Sequence, residues 1–209
     1  MAAPSRGARR PKPTAVSPGR RLNTNRSKTD LIANPLVCHP TACRVGFGND
    51  VHRLEPGRAL VLAGVVIPFD KGPAGHSDGD ALSHALCDAL LGAAALGDIG
   101  RHFSNRNPRW KNAPSLIFLK HTKALLRKAG YEVVNLDATV SLERPKLAPF
   151  IPLMRQKLAE ALGVDPGRIS IKAKTGEGVD AVGLGAAIRA DAVALLYQGA
   201  PSVVSQKGK

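Results

Sequence analysis

The chain has 209 residues, 44% of them hydrophobic, 4% aromatic and 22% charged, with a formal net charge of +14. That length supports one domain with a proper core, and the shortage of aromatics means the core is built from Ala, Val, Leu and Ile. No apolar run reaches the length of a membrane-spanning helix, residues 89–96 being far too short, and the three cysteines, Cys38, Cys43 and Cys87, are too few for a disulfide framework, so a reducing compartment is the default expectation.

Residues 1–43 carry eight Arg or Lys against the single acid Asp30, which is half the net charge; the remainder holds 22 bases against 15 acids. This stretch is rich in Arg, Pro, Ser and Thr, has no apolar periodicity, and is expected to be a disordered basic extension. A solvated tail, a start codon placed too far upstream, a transit peptide and a nucleic-acid-binding arm all share that composition. The expected location is therefore cytoplasmic, or plastid if the extension is a transit peptide. Cys38 and Cys43 bracket His39 in "CHPTAC", but no second pair completes a zinc site there.

The folded domain is expected over residues 44–199, with a flexible tail over 200–209. "RVGFGNDVHRL" and "RALVLAGVVIPF" are β-rich runs parted by a turn at Pro56-Gly57. "AGHSDGDALSHALCDALLGAAALGDIG" reads as a helix, capped by Ser77 or Asp78 and stopped at Gly97. A polar loop runs through Asn112. "SLIFLKHTKALLRKAG" is an amphipathic helix ending at Gly130, "YEVVNLDATVSLE" alternates as a strand, and "APFIPLMRQKLAEALG" is a third helix. "RISIKAKT" alternates as a strand. "AAIRADAVALLYQ" fits a period of two although its alanines favour helix, and is read as a strand. Strands and helices mixed without strict alternation indicate a single α+β domain of mixed α/β layers, a mixed sheet packed by helices.

Four clusters carry possible chemistry. Asp50 and His52, at i and i+2 on a strand, point the same way. On the first helix Asp80, His84 and Asp88 stand four apart in one stripe, opposite Leu82, Leu86, Ala89 and Ala93. Each residue taken singly is a polar group on a wet face. Taken jointly, Asp50, His52 and His84 offer one oxygen and two nitrogens to Zn²⁺ with the fourth position open, the pattern of a catalytic site. Asp80 and Asp88 are then expected to hold the ring N–H groups. "GHSDGD" places His76 and Ser77 just before a helix start, where backbone N–H groups attract anions, with ordinary capping as the plain alternative. "GDIG" is a glycine-bounded turn holding Asp98. "IKAKTGEG" sets Lys172, Lys174, Thr175 and Glu177 at a strand end: cations for phosphate, a small donor and a carboxylate able to hold Mg²⁺. It lacks the order of a P-loop.

In combination, "DVH", "HSDGDALSHALCDALLGAAALGDIG", "ERPKLAPFIPLM" and "IKAKTGEG" resemble the 2-C-methyl-D-erythritol 2,4-cyclodiphosphate synthase family over about residues 44–198. The resemblance implies zinc on Asp50, His52 and His84, and a second cation, Mg²⁺ or Mn²⁺, on Glu177. It implies that His76 and Thr175 stabilise the transition state and that Ser77 contacts substrate. Asp98, Ile99, Gly100 and Phe103 would wall the methylerythritol, with Asn105 and Asn107 in the adjoining loop. Pro145 and Lys146, in the loop from Leu142 to Ala148, together with Lys174, would receive the nucleotide. The implied substrate is a small nucleotide diphosphate, cytidine-linked methylerythritol 2-phosphate, cyclised with release of CMP in non-mevalonate isoprenoid synthesis. The implied assembly is a homotrimer with active sites at the subunit interfaces, without nucleic acid or membrane as partner.

Three positions depart from the family pattern. Asn49 replaces an aromatic. Ser104-Asn105-Arg106-Asn107-Pro108 stands where Pro-Asp-Thr-Asp-Pro is usual, so two acids become amides and weaker substrate binding is expected. Gly183-Leu184-Gly185-Ala186 stands for Gly-Arg-x-Glu, so an anion site at one end of the trimer cavity is expected to be lost. Rival readings are a zinc hydrolase of phosphate esters on the same ligands, an RNA-binding protein led by the basic tail, and a family member with reduced or lost turnover.

Overall fold

The computed structural model describes residues 43–75, 77–104, 106–110 and 113–199, all within one compact unit, Cys38–Lys209. The expected extension and C-terminal tail lie outside the described residues, except that Cys43 already opens the first strand.

Strand β1 (Cys43–Pro56) alternates strictly. Gly46, Gly48 and Leu54 turn inward with Asp50 and His52, while Val45, Phe47, Asn49 and Val51 face out. A hairpin follows, β2 (Leu60–Leu62) and β3 (Val65–Ile67). Its two turn residues, Ala63 and Gly64, both take positive φ, the geometry a two-residue hairpin needs. Strand β4 (Lys71–Pro73) then leads into α1 (Ala81–Ala93). A short turn α2 (Ile99–His102) precedes α3 (Leu116–Lys128), β5 (Tyr131–Ser141), α4 (Ile151–Leu162), β6 (Ile169–Lys174), the turn α5 (Asp180–Gly183) and β7 (Ala187–Gln198).

The main sheet runs β4-β1-β7-β5-β6. Its pairs are antiparallel except β5 with β6, so the sheet is mixed as expected. Helices α1, α3 and α4 form one layer on its inner face. α1 lies on β1 and β7, α3 on α1 and β5, and α4 on α3 and β6. The alanine-rich last run is indeed a strand, with Ile188, Ala190, Ala192, Ala194 and Leu196 buried. Alanine serves there because a helix backbone lies directly above it.

The same closeness governs β1. A Cβ on Gly46 would stand 2.0 Å from the Ala89 carbonyl oxygen, and one on Gly48 2.2 Å from that of Ala85. Strand and helix therefore touch backbone to backbone, glycine against alanine. The first helix is consequently a buried central helix, with Ala81, Leu82, Ala85, Leu86, Ala89 and Leu90 all inaccessible. It starts and stops inside the expected bounds: Asp80, not Ser77 or Asp78, caps it, accepting from the Ser83 N–H at 3.0 Å, and it ends at Ala93, short of Gly97. β4, α2 and α5 went unread in the sequence; at three or four residues each they are too short to show a period.

Adding one methyl at the strand–helix contact should test this packing. Gly48→Ala is expected to destabilise the fold by roughly 3 kcal/mol through overpacking. Gly57→Ala, with positive φ but nothing within 4 Å of the added carbon, should cost only about 1 kcal/mol. Urea unfolding midpoints of the two variants check the ordering.

Candidate metal centre and active site

The backbone contact between β1 and α1 brings His84, in the first turn of the helix, against the inward pair of the strand. Asp50 Oδ2 lies 2.8 Å from His52 Nε2 and 2.9 Å from His84 Nδ1, and the two ring nitrogens are 3.5 Å apart. Among the described residues this is the one group of three such side chains converging tightly enough to hold a metal. A tetrahedral ion with bonds of about 2.0–2.2 Å keeps its donors roughly 3.3 Å apart, so this set fits a small borderline ion such as Zn²⁺. The far nitrogen of each ring is occupied. His52 Nδ1 lies 2.8 Å from the Ala74 carbonyl, to which it donates, and His84 Nε2 lies 2.9 Å from Ser115 Oγ and 3.2 Å from Ser77 Oγ. Those outer bonds leave the inner nitrogens, His52 Nε2 and His84 Nδ1, as the pair that faces Asp50 and could bind an ion in place of a proton.

The electrostatics agree. Burial pushes the Asp50 carboxyl up, but hydrogen bonds with His52 and His84, and then their charges, outweigh it and hold the group well below the usual carboxylate range. His52 is raised, chiefly by its hydrogen bond with Asp50, against the opposing effect of burial.

The two acids expected to steady the rings do other work. Asp80 is fully buried and ties the helix start to the hairpin, accepting from Ser83 Oγ at 2.7 Å and from the Gly64 N–H at 2.9 Å. Its carboxyl is raised mainly by that burial. Asp88 accepts from the Ile99 N–H at 2.7 Å and so anchors α2. The wet stripe inferred from i, i+4 spacing is not a stripe: Asp80 belongs to the interior, and only His84 reaches the metal ligands.

A cavity of about 330 Å³ opens beside the triad, lined by His52, Ser77, His84, Ile99, Gly100, Phe103, Ser104, Trp110 and Phe118. It gathers four expected residues, Ser77, Ile99, Gly100 and Phe103, around the ligands. Phe103 stacks on Phe118 with centroids 4.9 Å apart, and Trp110 meets both rings edge-on at 5.5 Å. Asp98 instead caps α2, accepting from the Arg101 N–H at 2.8 Å. Asn107 is exposed and its side chain accepts from the Arg109 N–H. His76 and Asn105 lie outside the described residues.

Pro145, Lys146, Lys174 and Thr175 meet in a different cavity of about 220 Å³, with Leu142, Glu143, Leu147, Ala148 and Ala173. Thr175 Oγ1 donates to Glu177, and Glu143 accepts from the Gly176 N–H at 3.0 Å. The two cavities share no residue within one chain. Trp110, Phe118 and Ser115 were not singled out in the sequence, and Asp78 was read only as a possible helix cap.

A mixed sheet with one helical layer, and an open two-nitrogen, one-oxygen centre at the mouth of an apolar cavity, defines a metal-dependent enzyme for a small substrate. The family model described as the YgbB family matches residues 43–197. A protein of Moorella thermoacetica named 2-C-methyl-D-erythritol 2,4-cyclodiphosphate synthase is 54% identical over 153 residues, covering 73% of this chain and 94% of the relative. One of the same name from Symbiobacterium thermophilum is 55% identical over 152 residues, 73% of this chain and 97% of its own. A solved structure of 2C-methyl-D-erythritol-2,4-cyclodiphosphate synthase in a CDP-bound form aligns with a TM-score of 0.68 at 40% identity, over 73% of this chain and 99% of that one. The chain belongs to the YgbB family.

Metal uptake should compete with protons. His52 must lose its proton to bind an ion, and its raised pKa keeps that proton on to higher pH. Affinity is therefore full above that pKa and falls below it, by about tenfold per pH unit for one displaced proton. Chelator competition with Zn²⁺ at a series of pH values measures the slope; a flat profile contradicts the assignment of His52 as a ligand.

Proposed function

We propose that the chain converts 4-diphosphocytidyl-2-C-methyl-D-erythritol 2-phosphate into 2-C-methyl-D-erythritol 2,4-cyclodiphosphate with release of CMP. The observation that carries this reading is the Asp50–His52–His84 centre opening onto the apolar cavity, in a chain that belongs to this family. An oxygen of the 2-phosphate bonds to the β-phosphorus, the bond from that phosphorus to the bridging oxygen breaks, and CMP leaves with the electron pair. Atoms balance without water, so no protein nucleophile is required and the chain's work is positioning and charge. Asp50, His52 and His84 would hold Zn²⁺, which when bound would supply Lewis acidity toward a phosphate oxygen. Glu177 would offer a carboxylate to Mg²⁺ or Mn²⁺, which would offset phosphate charge. Ile99, Gly100 and Phe103 exclude water around the methylerythritol, and Ser77, beside His76, faces the reacting phosphates. Asp98 acts from the start of α2, Asn105 and Asn107 from the adjoining loop. Pro145, Lys146 and Lys174 would receive the nucleotide, and Thr175, with His76, would stabilise the transition state.

The split between two cavities supports a trimeric enzyme in which one chain's metal cavity is completed by its neighbour's nucleotide pocket. The outer sheet face supports the same reading. Val45, Phe47, Val51, Val193 and Tyr197 stand exposed there, Phe47 at 58%, across adjacent strands with Phe47 opposite Val193. Val51 stands apart from the others, beyond Asn49 and the Arg189–Asp191 pair; an exposed apolar patch such as that around Phe47 and Val193 marks a protein-binding surface, which a closed assembly of like chains would cover. At the head of β7, Leu184 is 76% exposed, and with Ala186 it offers no charge to an anion. Among the described residues no helix is long and apolar enough to cross a membrane.

CMP and cyclic diphosphate should form together from the cytidine-linked substrate with Zn²⁺ and Mg²⁺. His84→Ala should lower turnover by at least roughly 100-fold. CMP with a linear product would instead identify a hydrolase, and no CMP from zinc-loaded protein would mean that turnover has been lost. Separately, Phe47→Glu puts a charge into the proposed interface. It should dissociate the assembly by light scattering and abolish turnover while leaving the zinc content of each chain unchanged. A trimer that survives this substitution contradicts the assigned interface.

A further inference from the structure

We infer that Ser115 and Asp78 form a positioning relay behind His84, orienting its ring as a metal ligand. The inference rests on the metal-centre reading above. When Nδ1, which faces Asp50 at 2.9 Å, is given to a metal ion, the ring proton of His84 sits on Nε2 and needs an acceptor. Two hydroxyl oxygens are in reach, and their surroundings differ. Ser77 Oγ, at 3.2 Å, is partly exposed and already accepts from the Gly79 N–H at 3.3 Å. Ser115 Oγ, at 2.9 Å, belongs to a residue with no accessible surface.

The direction of the chain of bonds is set by Asp78. Its Oδ2 accepts from the Ser115 N–H at 2.9 Å, and its Oδ1 accepts from Ser115 Oγ. The serine has one hydroxyl proton and it is committed to this carboxylate, which leaves oxygen lone pairs facing the ring. His84 Nε2–H therefore donates to Ser115, and Ser115 donates to Asp78. A hydroxyl polarised by a carboxylate is a stronger acceptor than a free one. Among the described residues the outer nitrogen of His52 bonds to the Ala74 carbonyl. The two imidazoles are thus held differently, and His84 is the one whose outer hydrogen bond leads on to a carboxylate.

A second observation separates this role from ordinary helix capping. Ser115 occupies the N-cap of α3 but makes no side-chain cap bond. Serine at that position normally accepts from a backbone N–H of the first turn, worth about 1 kcal/mol to the helix. Here that bond is forgone and the hydroxyl is turned to the ring. Asp78 likewise stands two residues before the true cap, Asp80, whose N–H it accepts at 3.3 Å. The relay joins the entrances of α1 and α3 at the outer edge of His84.

The test uses the full chain stripped of metal, titrated with Zn²⁺ against a chelator and with Co²⁺ by its visible absorption. Ser115→Ala and the isosteric Asp78→Asn should each weaken Zn²⁺ binding about 10- to 100-fold and shift the Co²⁺ spectrum. The double variant should be no worse than the poorer single, because both break one chain. Melting of the metal-free protein reports folding independently. Unchanged affinity with a lowered melting temperature would make the pair purely structural and overturn the relay. Losses that add in full would overturn it as well. A wild-type chain that takes up no zinc would overturn the centre and the relay with it, whereas normal wild-type binding with indifferent variants removes the relay alone.

Discussion

The backbone contact of β1 with α1 governs the rest of the molecule. Two glycines on the strand and three alanines on the helix let the backbones meet at a distance that any side chain would prevent. From there the geometry is forced. Continuing along the inward face of β1 by twos leads from Gly46 and Gly48 to Asp50 and His52, and on α1 His84 immediately precedes Ala85, about a turn back from Asp88 and Ala89. The ligands converge because they extend a contact made by residues with no chemistry. A metal centre needs donors held to within a few tenths of an ångström, and rigid strand and helix backbones in direct contact hold them better than loops could.

Four aspartates surround this contact and each is used differently. Asp50 is a ligand, kept charged by its histidines. Asp78 backs His84 through Ser115. Asp80 is fully buried and joins helix start to hairpin turn through N–H and hydroxyl donors. Asp88 fixes the first N–H of α2, and so places the Ile99–Gly100 wall of the cavity. Desolvation raises Asp80 and Asp88 and is overcome at Asp50, where the partners are imidazoles rather than amides. The same side chain thus takes opposite electrostatic roles around one strand–helix contact, decided by burial and by the donors that face it.

How far the sequence revealed this depended on length and on register. β1, β5, β6, β7, α3 and α4 are long enough to show their period, and each lies where its pattern places it. The Asp50–His52 pair was legible because strand parity is strict. The error over Asp80 and Asp88 came from reading α1 as a surface helix, where i, i+4 spacing marks a wet stripe. On a helix buried on nearly all sides the spacing only says which neighbour a residue meets, and those neighbours, the Gly64 turn and the Ile99 amide, are remote in sequence. Ser115 carried no signal beyond that of a serine before an amphipathic helix, since its departure from capping shows only in three dimensions. The family resemblance supplied the substrate, which no spacing could have.

The outer face of the sheet completes the account. Along β1 and β7 the inward residues are small because a helix backbone lies on them, while the outward ones include Phe47, Val193 and Tyr197. A single helical layer leaves these uncovered, and covering about 100 Å² of apolar surface is worth roughly 2.5 kcal/mol. A second helical layer would bury that face and isolate the two cavities within each chain. In the proposed trimer a neighbouring chain would bury that face instead and would let the nucleotide pocket of one chain approach the metal cavity of another. On that reading the economy that gives β1 its glycines on one side and its apolar residues on the other would tie the assembly of the site to the assembly of the protein.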